Sequence, residues 1–289
     1  MKAASLLVPV PGAHDARNAW TEFWKDPAQT RCASGDPDVW RALTAHWTDF
    51  ARTLAPGERV LDLGCGAGAV GKLLLAARPD LHVTGVDSAR IPLSLQPQHE
   101  LLPDTAMEAL PFEEQRFGAV VSQFGYEYGQ ADDTVREMAR VVARGAKLSL
   151  IVHHEASPVV AATRERLAAI DALLMPAVRA AFCGGDAATF HAQMASLTAR
   201  FATDDLVAEL AASLTVRLGR VAGTRLAIWR AIEDALAPER CVARALSACC
   251  VGAGEMAEWL APLRAVFDLA PVTLLRDSAG APIAWRVCA

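Results

Sequence analysis

Between residues 58 and 155 short apolar runs alternate with amphipathic stretches. The runs at 59–63, 81–86, 100–105, 117–122 and 147–153 have the length and the branched aliphatic content of buried strands, whereas 69–77 and 132–143 follow helical spacing. Alternation of this kind predicts a parallel sheet with helices on its faces. Upstream, Val39, Leu43, Trp47, Phe50 and Leu54 recur at helical spacing behind Asp36-Pro37, a capped entry, so that 18–54 reads as a helical segment. Downstream, an Ala- and Leu-rich stretch predicts helices near 158–182, 187–201, 204–217, 220–236 and 239–250, interrupted at Gly184-Gly185, Gly219 and Pro238. It has no fixed period and is not a solenoid. A helix over 255–267 and two strands, 270–276 and 282–288, about Asp277-Ser278-Ala279-Gly280 close the chain.

This pattern divides the 289 residues into an N-terminal helical segment (1–57), a core (58–155), a helical insertion (156–250) and a C-terminal return to the core (251–289). A hydrophobic content of 53% with 21% charged residues is enough for a sizeable buried core. Net charge is −5, and the four lysines, at 2, 25, 72 and 147, are scattered. No basic surface suited to a polyanion is expected, which argues against nucleic acid as a partner. The seven cysteines, at 32, 65, 183, 241, 249, 250 and 288, show no CxxC spacing, so neither a zinc site nor a disulfide framework is expected. The first fifteen residues carry one lysine and a brief apolar patch cut by Pro9 and Pro11, unlike a signal peptide, and no run approaches the roughly 20 apolar residues of a membrane span. A cytoplasmic location without membrane association is the expectation.

The candidate chemistry centres on Val60 to Gly71, VLDLGCGAGAVG, an apolar strand running through a glycine-rich turn into a helix. Gly64, Gly66 and Gly68 remove side chains that would keep a ligand from the backbone. Gly66 to Gly71 satisfies GxGxxG, and Asp87 ends the next strand at the distance of a ribose-binding acid, so a dinucleotide is one reading. Asp62 weighs against it, because a pyrophosphate over the turn would meet a second negative charge. A cationic ligand would be attracted there, with Asp87 still able to accept from ribose hydroxyls.

Asp62-Leu63-Gly64-Cys65-Gly66-Ala67-Gly68, followed by Val83-Thr84-Gly85-Val86-Asp87, resembles the class I S-adenosylmethionine-dependent methyltransferases. Glu108 to Phe112, Arg116 to Ser122 and the strand end Ser122-Gln123-Phe124-Gly125 are similar to the same family, in its small-molecule branch; together the matches cover about residues 55 to 155. The resemblance implies a Rossmann-like seven-stranded α/β sheet of order 3-2-1-4-5-7-6, helices on both faces, and S-adenosyl-L-methionine held by Asp62, Gly64, Cys65, Gly66, Gly68, Asp87, Ser88, Ala106, Met107, Gln123 and Phe124. The family's acid before Met107 is replaced by Ala106, which leaves Asp104 or the backbone of Ala106 and Met107 for adenine. Trp20, Phe23 and Trp24 stand where relatives lay an N-terminal segment over the cofactor, and Trp24 is taken as a contact to the sulfonium.

The acceptor side falls to the next strand ends. QFGYEY (123–128) follows the fourth strand, and His153, His154 and Glu155 follow the fifth. His153, His154 and Tyr126 are the catalytic candidates, with Glu127 or Glu155 orienting an imidazole where the acceptor must lose a proton. Adjacent strand residues point to opposite faces, so only one histidine can face the site. The insertion is expected to form a cap over a small acceptor, with Phe182, Phe190, Met194 and Trp229 as lining candidates, or else a homodimer interface. The expected function is methyl transfer to a small molecule; the alternatives are an NAD(P)-dependent oxidoreductase and a non-catalytic, cofactor-binding regulatory protein.

Overall fold

The computed structural model describes residues 13–25, 36–91 and 95–289 and divides into two compact units. Trp20–Val160 with Ala248–Ala289 forms an α/β unit; Ala161–Ser247, with residues 13–19, forms a helical unit.

The α/β unit is built on eight strands: β1 (Arg59–Leu63), β2 (His82–Val86), β3 (Leu95–Gln96), β4 (His99–Leu102), β5 (Phe117–Gln123), β6 (Val142–His153), β7 (Thr273–Arg276) and β8 (Pro282–Cys288). Their order is β3-β4-β2-β1-β5-β6-β8-β7. Strands β4, β2, β1, β5 and β6 run parallel, and β8 pairs antiparallel with both β6 and β7. Without the two-residue edge strand β3, this is the order 3-2-1-4-5-7-6. The expected seven strands are present, and β3 adds an eighth at the edge. It arises where Leu95–Gln96 folds back antiparallel on His99–Glu100 around a turn at Pro97, whose fixed φ suits a turn and not a helix.

Alternation along each strand sends side chains to two cores. Leu61, Leu63, Val120, Leu148 and Leu150 pack with α4 (Ala131–Val141) on one face. Val60, Val83, Val121 and Ile151 pack on the other, against α2 (Pro37–Arg52) and α3 (Ala69–Ala77). Helix α2 begins as expected: Pro37 takes the first helical position, and the Asp36 carboxylate accepts from Asp38 N at 2.8 Å. Val39, Leu43, Trp47, Phe50 and Leu54 are all buried. Helix α1 (Ala13–Lys25) carries Trp20 and Trp24, and its Thr21 hydroxyl accepts from Arg90 N at 3.1 Å.

Strand β6 starts at Val142 rather than at 147 and β7 at Thr273 rather than at 270, while proline explains two other boundaries that differ from expectation. Strand β4 ends at Leu102 because Pro103 has no N–H to continue the ladder. The helix expected over 255–267 is two short pieces, Met256–Trp259 and Ala261–Arg264, since Pro262 cannot donate to the preceding turn.

In the helical unit the helices are α5 (Pro158–Leu173), α6 (Pro176–Gly184), α7 (Ala187–Arg200), α8 (Asp205–Thr215) and α9 (Ala222–Cys249), the first residues of α5 and the last of α9 being assigned to the α/β unit. Pro238 was expected to end a helix, yet α9 runs through it. An interior proline costs about 3 kcal/mol. Burial of Leu236, Ala243 and Leu246, with ion pairs from Glu239 to Arg166 (2.6 Å) and from Arg240 to Asp171 (2.5 Å), keeps α9 a single helix across Pro238. Phe182, Phe190, Met194 and Trp229 are buried together as this unit's own core, which is the packing role. Among the described residues no single helix is long and apolar enough to cross a membrane.

Candidate functional site

A cavity of about 80 Å³ lies at the carboxyl ends of β1, β2 and β5, the position where open α/β sheets bind ligands. Asp62, Gly64, Cys65, Asp87, Ser88, Met107, Gln123, Phe124 and Trp24 line it, together with Trp20, Gly125 and Tyr128. Its volume is below the roughly 300–1,000 Å³ of ligand pockets because tryptophans stand over the turn. The Trp24 ring is only 7% exposed and occupies the place where a side chain on Gly66 would project. Trp20 stacks on Trp24 at 6.4 Å and meets Tyr128 edge-on at 5.4 Å.

Asp62 sits on the central strand, opposite Gly85 of β2 and Val121 of β5, fully buried, with neither carboxylate oxygen hydrogen-bonded. Burial, and then the neighbouring Asp87, hold its carboxyl well above the ordinary range. A buried acid without donors is costly unless a cation arrives to pair with it. Asp87 is held differently. It accepts from Gly66 N at 2.9 Å and from Ala89 N at 2.8 Å, and two carboxylate oxygens have lone pairs left for further donors.

The turn is tightened by a backbone crossing. Gly64 has φ +65°, and a Cβ on it would lie 2.8 Å from Gly125 Cα, so both chains must be glycine there. Ser122 fastens the same crossing: its hydroxyl donates to Leu63 O at 2.6 Å and accepts from Tyr126 N at 2.9 Å. Gln123 is buried, and its side-chain oxygen accepts from Trp47 Nε1 at 2.7 Å. Phe124 then takes φ +57°, an uncommon conformation for a bulky side chain and one that concentrates at functional sites.

Several expected site residues lie elsewhere. Gly66, Gly68 and Ala106 do not line the cavity, although Gly66 donates its N–H to Asp87. Asp104 is exposed and ion-paired with Arg90 at 3.5 Å, which leaves Met107 as the cavity residue of that loop. Tyr126 is buried against Trp259 at 5.4 Å in the sheet core, its hydroxyl pushed up by burial; Tyr128 is the tyrosine that lines the cavity. His154 packs on Trp285 at 4.7 Å, and its Nδ1 accepts from Ala156 N at 3.0 Å, a structural role.

His153 points the other way, as strand alternation requires, but lies one ring behind the cavity wall. It stacks on Phe124 at 4.1 Å and is 1% exposed. Its backbone N–H and ring Nδ1–H both donate to Glu127 Oε1, at 3.0 and 2.7 Å. The Cys249 thiol joins this pair from the end of α9, pushed up by burial and by the Glu127 carboxylate against a hydrogen bond with Tyr128. Sequence reasoning missed Cys249 entirely, since nothing local distinguishes it from six other cysteines. Tyr128 had a signal, its shared parity with Tyr126, but the 3₁₀ turn over Tyr126–Tyr128 breaks that parity.

Residues 60–145 match the family model of a methyltransferase domain. Among curated proteins, a demethylmenaquinone methyltransferase of Thermotoga maritima is 32% identical over 99 residues, covering 32% of this chain and 43% of that protein. A ubiquinone biosynthesis O-methyltransferase of Hahella chejuensis is 44% identical over 50 residues, covering 17% and 20%. The chain thus spans less than half the length of these relatives. A solved geranyl diphosphate C-methyltransferase of Streptomyces coelicolor A3(2) superposes with a TM-score of 0.40 at 15% identity, covering 51% of this chain and 69% of that one. That family model lies over β1 to the start of β6, the stretch that places the DLGCGAG turn at the centre of the sheet.

Proposed function

We propose that this protein transfers a methyl group from S-adenosylmethionine to a small-molecule acceptor. The observation that carries the reading is Asp62, a fully buried carboxyl whose oxygens have no donor and whose position just before the glycine turn calls for a cation. An ammonium-bearing donor satisfies it, whereas the pyrophosphate of a dinucleotide would add a like charge. Asp87 would take the ribose hydroxyls on the lone pairs that Gly66 and Ala89 leave, Met107 would cover the adenine, and the backbone of Gly64 and Cys65 would border the amino acid moiety. When bound, S-adenosylmethionine supplies an electrophilic methyl carbon on a sulfonium.

The protein's own contribution is then alignment of the acceptor and exclusion of water. Phe124, Tyr128, Trp20 and Trp24 form an aromatic wall suited to an apolar or aromatic acceptor. The names of two relatives, a demethylmenaquinone methyltransferase and a ubiquinone biosynthesis O-methyltransferase, support acceptors of the quinone type. The net charge of −5 speaks against an RNA acceptor. Neither histidine lines the cavity, so acceptor deprotonation is assigned to neither.

Calorimetric titration with S-adenosylhomocysteine and with NADH tests the reading: binding of the first and not the second is expected, and the reverse overturns it. Incubation with labelled S-adenosylmethionine and a panel of phenolic and quinol acceptors then tests transfer. Tight binding without label on any acceptor would favour a regulatory cofactor-binding protein.

A further inference from the structure

Three segments far apart in the chain converge behind the cavity wall. A carboxylate oxygen of Glu127, a ring nitrogen of His153 and Sγ of Cys249 lie within 4.8 Å of one another. The Glu127 side chain is 0% exposed and that of His153 2%. Glu127 Oε1 is used twice by His153, while Oε2 is buried with no hydrogen-bond partner. A half-satisfied carboxylate in such a place is expensive unless a cation is taken up.

We propose that Glu127, His153 and Cys249 form a binding site for a divalent transition-metal ion of the zinc type. Carboxylate, imidazole and thiolate are the three ligand types that zinc accepts, and sulfur disfavours calcium and magnesium, which take oxygen. One thiolate and one carboxylate neutralise a divalent ion, so the loaded site carries no net charge into the interior. Ligands of a tetrahedral ion stand about 3.3–3.8 Å apart, given metal–ligand lengths of about 2.0–2.3 Å. To reach that spacing the wider pairs close by about 1 Å from the 4.8 Å limit, and His153 Nδ1 gives up its 2.7 Å hydrogen bond to Glu127 Oε1. Three protein ligands leave a fourth position for water or another small ligand.

The site would tie the Tyr126–Tyr128 turn, the end of β6 and the end of α9 to one point. Phe124 and Tyr128, which line the cavity, flank that point, His153 stacking on Phe124 and meeting Tyr128 edge-on at 6.4 Å. Ion binding would thus stiffen the acceptor side of the cavity. This inference stands on the cluster alone and does not depend on the methyl-transfer reading.

Cobalt(II), which reports its ligands spectroscopically, is the probe. Added to the full chain freed of metal by chelation, it should give a thiolate-to-cobalt charge-transfer band and the strong visible bands of a tetrahedral site, saturating at one ion per chain and displaced by zinc. Cys249→Ser should abolish the charge-transfer band, Cys250→Ser should leave it, and Glu127→Gln should weaken cobalt binding by at least tenfold while keeping the band. Zinc should raise the melting temperature of the wild type. Absence of the band in the wild type, or its persistence in Cys249→Ser, overturns the proposal. S-adenosylhomocysteine titration of the metal-free and metal-loaded chain is scored separately, so a failed metal site and a failed cofactor site give different results.

Discussion

Two buried carboxylates organise the two ends of this site, and they differ in how they come to be there. Asp62 arrives by local sequence: it is one residue of a strand that runs directly into the glycine turn, and its neighbours in the chain are its neighbours in the pocket. Glu127 arrives by tertiary assembly, from a one-turn 3₁₀ segment that meets a strand end 26 residues away and the end of a long helix. Each leaves carboxylate oxygen unsatisfied, and each is read here as a cation site. The first is matched to an organic cation. The second, with sulfur and imidazole beside it, is matched to a metal. The comparison teaches that an orphaned buried acid is the shared physical signal, and that the groups around it choose the ligand.

The strongest test of the comparison is Asp62→Asn. Loss of a buried ionic partner costs about 2–5 kcal/mol, so S-adenosylhomocysteine affinity should fall by about thirtyfold or more in titration calorimetry. Stability of the cofactor-free protein should not fall. The carboxyl's value is raised, so the folded chain keeps a proton that the unfolded chain gives up; the cost is absent below the ordinary value of 3.8 and grows as pH rises above it. Equal cofactor affinity in the variant would remove Asp62 from the argument.

A buried group that has its partner built in supplies the contrast. His46 shares a 2.8 Å hydrogen bond between Nε2 and Ser149 Oγ, and burial, followed by Arg286, lowers its value from 6.5 to about 4. The folded chain resists protonation that the unfolded chain accepts, so stability is present above pH 6.5 and is lost as pH falls towards 4. The loss should reach about 3 kcal/mol, read as a falling denaturation midpoint in urea, and His46→Asn should flatten that slope. An unchanged slope would show that another group governs acid unfolding.

Asp87→Ala should weaken cofactor binding by about 1.5–3 kcal/mol, less than Asp62→Asn, because Asp87 is already half satisfied by Gly66 and Ala89. Reversal of that order would mean that ribose recognition outweighs the buried cation. The smallest effect is optical. The Trp24 ring lies against Gly66, so S-adenosylhomocysteine should change the tryptophan emission of the wild type and change it less in Trp24→Phe. Identical changes in both would show that Trp24 stays where it is when cofactor binds.

Much of this molecule was legible from the order of its residues. Alternation and helical spacing located β1, β2, β5 and α3 to within a residue or two, because burial on both faces of a parallel sheet dictates composition directly, and Asp36-Pro37 marked the start of α2. Asp62 and Asp87 were legible for the same reason, each lying in or just beyond a strand whose register follows from its own pattern. Proline effects were legible only in part. Pro262 acts through a lost donor, a local cause, yet the expected helix over 255–267 ran through it, whereas Pro238, expected to break a helix, is overruled by ion pairs from other helices.

The tertiary structure alone decided which aromatic and ionisable groups meet. Tyr126 and Tyr128 are two residues apart, yet a 3₁₀ turn sends one into the core and the other to the cavity. His153 and His154 are separated by strand alternation, but it takes the Phe124 ring and Glu127 to hold His153 behind the wall. Cys249 meets them from the end of α9, far along the chain from either. Short-range pattern determines which side of a strand or helix a residue occupies. Long-range packing determines what it finds there, and for this protein that difference separates the end proposed to hold the methyl donor from the end proposed to hold a metal ion.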